Sequence, residues 1–272
     1  MTPASGPAFR RPGCVSGSIH SVCPLEACRS EAPVFPLHDV NPTHRAPLVT
    51  LLLIAANIAA WLLWQPHGDA VREVEFLYQH AAVACEVIRN APITADDLLV
   101  GRCLEGATSP EVFPEKQVPL SVLASLFLHG GFLHLAGNMW FLWVFGNNVE
   151  DRFGHLLYGA LYLSAGVVAT LGFVAMRPED VTPLIGASGA VAGVLGAYLL
   201  LYPRHAVVAW AGWFVMPVPA ALFLAVWFIG QFFVGDVGVA WEAHVAGFLA
   251  GMLLTLPVVA FGRSRTPARR RR

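Results

Sequence analysis

Apolar residues in this chain gather into long runs instead of alternating with polar ones at strand or amphipathic-helix spacing. A helix needs about 20 such residues to cross a hydrocarbon core of about 30 Å, and runs near that length recur. Six are read, at residues 48–64, 132–149, 155–176, 185–202, 219–234 and 242–261. The stretch from 206 to 234 is long for one span and carries Pro217 and Pro219, so residues 206–216 are read as an interfacial lead-in. The pattern predicts an all-α polytopic membrane protein with six transmembrane helices.

Lysine and arginine set the orientation, because positive loops stay cytoplasmic. Arg10, Arg11, Arg29 and Arg45 precede the first run, and Arg263, Arg265 and Arg269 to Arg272 follow the last. Both termini are expected inside, with Arg152 and Arg204 in cytoplasmic turns. Outside lies a long first loop with nine acidic residues against Arg72, Arg89, Arg102 and Lys116. The expected organisation is a disordered cytoplasmic tail over 1–46, a six-span domain over 47–262 with an extended outside loop at 67–118, and a basic cytoplasmic tail over 263–272. The first 33 residues lack the charged start, apolar run and cleavage site of a signal peptide, and read as a disordered tail or a mis-called upstream start.

Composition narrows the class further. Of 272 residues, 56% are hydrophobic and only 13% charged, against a usual charged share of about 25%. So few charges cannot cover a soluble surface of this size. A net charge of -1 leaves no basic field for nucleic acid and no acidic excess typical of a solvated, disordered chain. Cys14, Cys23 and Cys28 have no paired CxxC spacing and read as free thiols rather than a metal site. Cys85 and Cys103 share the outside loop, where an oxidising setting allows a disulfide; the open alternative is two thiols.

Polar groups at membrane depth are costly and therefore candidates for function. Three stretches carry them: His129 to Asn138, Gly186 to Gly189, and His244 to Gly247. Counting helical rise from the cytoplasmic end of each run puts Ser188 at about 21 Å, His244 at about 26 Å, Asn138 at about 18 Å and His134 at about 24 Å. Four groups from three helices thus fall near one level, several ångströms below the outer surface. Taken singly, each has a bland explanation: a serine cap, a hydrogen-bonding histidine, an interhelical asparagine. Their common depth weakens all three together.

Ser188 begins its helix, where free N–H groups and the positive dipole end favour an oxyanion, as a nucleophile needs. His244 is the candidate base, which makes a Ser/His dyad. His134 and Asn138 lie four apart on one helix face and can point at the same developing oxyanion. Gly189, Gly193 and Ala197 form one small-residue stripe and His244, Gly247 and Gly251 another, which predicts close contact of the two helices. Asp236 and Glu242 read as loop solvation. His129, beside Gly130 and Gly131, either holds the loop or retains water. No HExxH is present, so a zinc-protease ligand set is lacking.

These motifs resemble those of the rhomboid intramembrane serine proteases. Gly186-Ala187-Ser188-Gly189 matches the family's GxSG, His244-Val245-Ala246-Gly247 its sixth-span histidine motif, and His134 with Asn138 its HxxxN, in the same order. Gly146 to Gly154 looks like the family's GxxxExxxG cap, expected to be structural through a Glu150 and Arg152 network. The resemblance covers residues 34–261 and implies a rhomboid-like bundle. It also implies a serine endopeptidase that cuts peptide bonds in or near transmembrane segments, with catalytic Ser188 and His244, oxyanion donors His134 and Asn138, and no metal or organic cofactor. The implied partners are single-pass or helix-destabilised transmembrane substrates in a lipid bilayer, with no nucleic acid. Two features depart from the pattern: Ala192 stands where some members place an aromatic against the histidine, and the first loop lacks a Trp-Arg pair. A rhomboid-like protein that binds membrane clients without cutting them, and a small-solute transporter, are the competing classes. Inside termini and an outside-facing site place the chain in a bacterial inner (cell) membrane, with a eukaryotic compartment as the alternative.

Overall fold

The computed structural model describes residues 34–233 and 239–262. The expectations for Cys14, Cys23, Cys28, Asp236, the N-terminal arginines Arg10, Arg11 and Arg29, and the basic segment from Arg263 lie outside the described residues. The protein is mostly helical. Its elements run β1 (Val34–Asp39), α1 (Leu48–Ala59, continued by a π turn over Ala60–Trp64), α2 (Ala70–His80), β2 (Ala82–Val83), α3 (Ala84–Arg89), α4 (Ala95–Val100) and α5 (Val118–Ala124). After these come α6 (Phe132–Phe153), α7 (His155–Met176), β3 (Pro183–Leu184), α8 (Ser188–Leu201), β4 (Ala206–Ala211), β5 (Phe214–Pro219), α9 (Ala220–Gly230, then a 3-10 turn Gln231–Phe233) and α10 (Trp241–Gly262).

Each of the six apolar runs forms a helix, but the six-span count does not follow from their lengths. Among the described residues two helices are long and apolar enough to cross a membrane, His155–Met176 and Trp241–Ala260. A third is added if Val118–Phe127 and Phe132–Phe153, bent by 79° at their break, count as one span. Leu48–Trp64, Ser188–Leu201 and Ala220–Phe233 are shorter. At the standard rise, α8 reaches only about 21 Å, short of a core of about 30 Å.

The centre of the fold is α8, whose residues from Gly189 to Tyr198 are all buried. It packs against α6, α7 and α10. Glycines make that packing possible: a Cβ on Gly247 would collide with the Gly189 carbonyl, and one on Gly251 with the Gly193 backbone. The two small-residue stripes therefore meet, backbone against backbone. Gly196, not Ala197, makes the next close approach, against the Phe248 carbonyl.

Two expectations are corrected by a small sheet of order β1-β4-β5. Residues 34–39, assigned to the disordered tail, pair with β4 from Val34↔Ala211 to Asp39↔Val207. Residues 206–216, read as an interfacial lead-in, form most of an antiparallel hairpin with Ala206↔Pro219 and Ala211↔Phe214. The signals were local: Val207, Val208, Val215 and Val218 favour strands, and Gly212 turns the chain at φ 61°. Pro36, Pro217 and Pro219 all lie on the edge strands, where a missing donor costs no central ladder bond. Tyr198 from α8 donates to Asp39 at 2.9 Å, so β1 is tied to the bundle.

The long loop between α1 and α5, expected to lie outside, folds on its own chemistry. Cys85 and Cys103 are disulfide-bonded. Glu86 pairs with Lys116, both buried, and Arg89 with Asp97 at 2.6 Å. Burial raises the Glu86 carboxyl and lowers the Lys116 ammonium, each against the pull of the other. At Asp97 burial works the other way from its bonds, and the bonds from Arg89, Thr94 and Leu104 win, holding the carboxyl below its ordinary range. The loop is pinned to the segment before α8 by Ala82↔Leu184 and Val83↔Pro183.

Candidate functional site

The segment leading into α8 descends from the β2-β3 pair and turns at Gly186, whose φ is 119°. An L side chain is strained at that angle, and a Cβ there would lie 2.7 Å from His134 Cε1 and 2.8 Å from its Nε2. The first glycine of GxSG is thus required twice, by backbone and by space. It lets the His134 ring sit beside the residue that opens α8, Ser188.

His244 approaches from α10. Its Nε2 is 2.8 Å from Ser188 Oγ, which is hydrogen-bonding distance between a nucleophile and a base. The close α8–α10 contact described above sets this distance. Ser188, His134 and His244 all line one cavity of about 820 Å³, bounded also by Gly186, Gly189 and Arg177. Asn138 is placed otherwise: it is buried, its Nδ2 donates to the His134 carbonyl at 2.9 Å, and it is not among the residues lining that cavity. An amide nitrogen carries two donors, so one N–H is left after this bond.

The surroundings of the pair include residues that the motif pattern did not single out. Gln231 Oε1 lies 2.6 Å from His244 Nδ1. Trp227 sits one helical turn earlier on α9, with its ring centroid 6.1 Å from that of His244. The aromatic neighbour that Ala192 does not supply from α8 is therefore supplied from α9. Gln231 was legible in principle, as the one amide in the run 219–234.

Glu242 corrects an expectation. Read as loop solvation, it is 3% exposed and pairs with Arg177 at 2.5 Å, joining the start of α10 to the end of α7 at the cavity rim. A carboxylate this buried persists only with a partner. His129 is buried, its ring 5.2 Å from His134, while its backbone exchanges two 2.9 Å bonds with the Gln65 amide. Those bonds hold the loop between α5 and α6. At the opposite end Glu150 does not join Arg152, as expected; among the described residues its partners are Val49 N at 2.8 Å, Thr50 N at 2.8 Å, Thr50 Oγ1 at 2.7 Å and His155 Nδ1 at 2.6 Å. The unpaired N–H groups opening α1 attract that carboxylate.

Comparison with known proteins agrees with the motifs. A family model described as the Rhomboid domain matches residues 117–261. Rhomboid protein 1, mitochondrial, of Saccharomyces cerevisiae is 32% identical over 146 residues, 49% of this chain and 40% of that protein. RHOMBOID-like protein 5 of Arabidopsis thaliana is 34% identical over 134 residues, 49% of this chain and 42% of that protein. The human presenilin-associated rhomboid-like protein, mitochondrial, is 37% identical over 87 residues, 30% of this chain and 22% of that protein. The chain thus matches well under half the length of these relatives. They also correct the expected location: relatives named as mitochondrial point to a mitochondrial membrane in place of a bacterial one. Charge bias specifies which side of a membrane a loop occupies, not which membrane, and it could not have made that choice. With the family model covering more than half of its length, the chain belongs to the rhomboid family.

Proposed function

We propose that the protein is an intramembrane serine endopeptidase that hydrolyses peptide bonds in or next to transmembrane segments of other proteins. The observation that carries this is the 2.8 Å contact between Ser188 Oγ and His244 Nε2 at the wall of a cavity. Ser188 attacks the carbonyl carbon of the scissile bond while His244 Nε2 takes its proton. The tetrahedral oxyanion is stabilised by the N–H of Ser188, by His134 and by the remaining N–H of Asn138. His244 returns the proton to the leaving amine, and water then hydrolyses the acyl-enzyme by the same two residues.

The bundle we propose has six spans, α8 being a short helix that starts inside the membrane rather than at its surface. A helix that begins there exposes free N–H groups to the cavity, and water in the cavity lowers the cost of placing them at depth. A substrate helix must unwind to present a carbonyl to Ser188, which favours spans weakened by Gly or Pro. The substrates are single-pass or helix-destabilised membrane proteins drawn from the surrounding bilayer.

The test is reconstitution of wild type and Ser188→Ala in liposomes with a reporter transmembrane substrate and a serine-reactive fluorophosphonate probe. Wild type alone is expected to cut and to label. Cleavage by Ser188→Ala at the wild-type rate, or a wild type that neither labels nor cuts several helix-weakened substrates, overturns the assignment in favour of a client-binding protein.

A further inference from the structure

We propose that Gln231 is the positioning residue of His244, holding its imidazole in the one tautomer that can accept a proton from Ser188. The proposal rests on the serine-hydrolase function above and adds a residue to its site. The two ends of the Gln231 amide are told apart by their partners. Its Nε2 is 3.0 Å from the Trp227 carbonyl, which can only accept, so the nitrogen faces Trp227. Oε1 is thereby turned to His244 Nδ1 at 2.6 Å. That oxygen can only accept, so Nδ1 carries the hydrogen, and the neutral ring presents its lone pair at Nε2, where Ser188 Oγ lies 2.8 Å away.

The result is one directed chain: Ser188 O–H to Nε2, Nδ1–H to Gln231, and the Gln231 amide to Trp227. When the Ser188 proton moves to Nε2, the Nδ1–H bond to Gln231 is kept and becomes charge-assisted. A carboxylate would do this more strongly, but among the described residues none is bonded to Nδ1, whose partner is the Gln231 amide. Among the described residues, Ser188 from α8 and Gln231 from the turn after α9 bond to His244 and His134 from α6 lines the same cavity, while Glu242, two residues earlier on α10, is bound to Arg177. A neutral amide at membrane depth also avoids the cost of burying a second charge. Gln231 is 7% exposed, so water has little access to compete for Nδ1.

Gln231→Met keeps the length of the side chain and removes the acceptor; Gln231→Glu keeps an acceptor and adds charge. In liposomes with the reporter substrate, Gln231→Met is expected to lower kcat about 10-fold or more with KM little changed, on the scale of one lost buried hydrogen bond. Gln231→Glu should recover most of that loss and move the acid limb of the kcat profile to higher pH, because a carboxylate beside Nδ1 favours the protonated ring. Nitrogen-15 spectra of labelled histidine should show His244 as the Nδ1–H tautomer in wild type and as a mixture in Gln231→Met. A folded Gln231→Met with wild-type kcat and the wild-type tautomer overturns the proposal. Should Gln231→Met not fold, an acid limb unmoved in Gln231→Glu overturns it instead. If wild type itself neither cuts nor labels, the hydrolase function fails, and the wild-type spectrum still decides whether Gln231 orients the ring.

Discussion

Two clusters of polar groups sit on α6, one near each end, and they are built to opposite rules. At the end near Gly154, Glu150 takes four short hydrogen bonds from the start of α1 and from His155. Every lone-pair direction of the carboxylate is used, and 1% of the residue is exposed. At the other end, His134 is half-buried and lines an open cavity with Ser188 and His244. Saturation is what a structural clamp needs, because unpaired buried charge is expensive. A reactive site needs the reverse: groups whose bonding capacity is left for a substrate.

The contrast can be broken by substitution at each end. Ser188→Ala should abolish cleavage, by about 10⁴-fold or more on the scale of nucleophile removal, while leaving the melting temperature of the protein in detergent unchanged. A comparable loss of stability would show that Ser188 is part of the clamp chemistry instead. Glu150→Ala should do the opposite. It strands two α1 N–H groups and the Thr50 hydroxyl and is expected to cost about 2–4 kcal/mol, read by detergent or denaturant unfolding, with the activity per folded molecule retained.

The loop between α1 and α5 sharpens the same comparison at lower stakes. Reducing Cys85–Cys103, or replacing the pair by serine, should lower the stability of that region by about 3 kcal/mol and increase its proteolytic nicking before cleavage activity falls. Smallest is the Arg89–Asp97 pair. Because the folded Asp97 carboxyl titrates below its ordinary range, its stabilisation is complete above about pH 4 and is lost as the pH drops through the lower folded value. Asp97→Asn should cost about 1–2 kcal/mol at neutral pH and flatten the acid limb of loop stability followed by hydrogen exchange. An unchanged acid limb would assign it to another carboxylate.

Helices and hairpin differed in how plainly they could be read. The apolar runs at 155–176 and 242–261 are long enough that composition alone predicts a membrane helix, and both form helices long and apolar enough to cross one. The hairpin at 206–219 was missed because apolar content was given more weight than its β-branched residues and the turn at Gly212. The glycines of α8 and α10 were legible as stripes, since a repeat near four residues faces one side of a helix. Gln231 was not singled out, since its meaning lies in a partner on another helix.

Composition, run length and motif order by themselves pointed to a helical membrane protein resembling the rhomboid family, and rise per residue gave the expectation that Ser188, His134, Asn138 and His244 lie near one level. Depth is a one-dimensional quantity that each helix carries in its own sequence. Azimuth and partner choice are not, and only the tertiary structure decided them. Packing across the glycine faces brought Ser188 within 2.8 Å of His244, turned the Asn138 amide toward its own helix, and gave Nδ1 to Gln231 and Glu242 to Arg177. Those pairings follow from how whole helices rotate to bury their small residues and satisfy their polar ones together, a condition that no single segment contains.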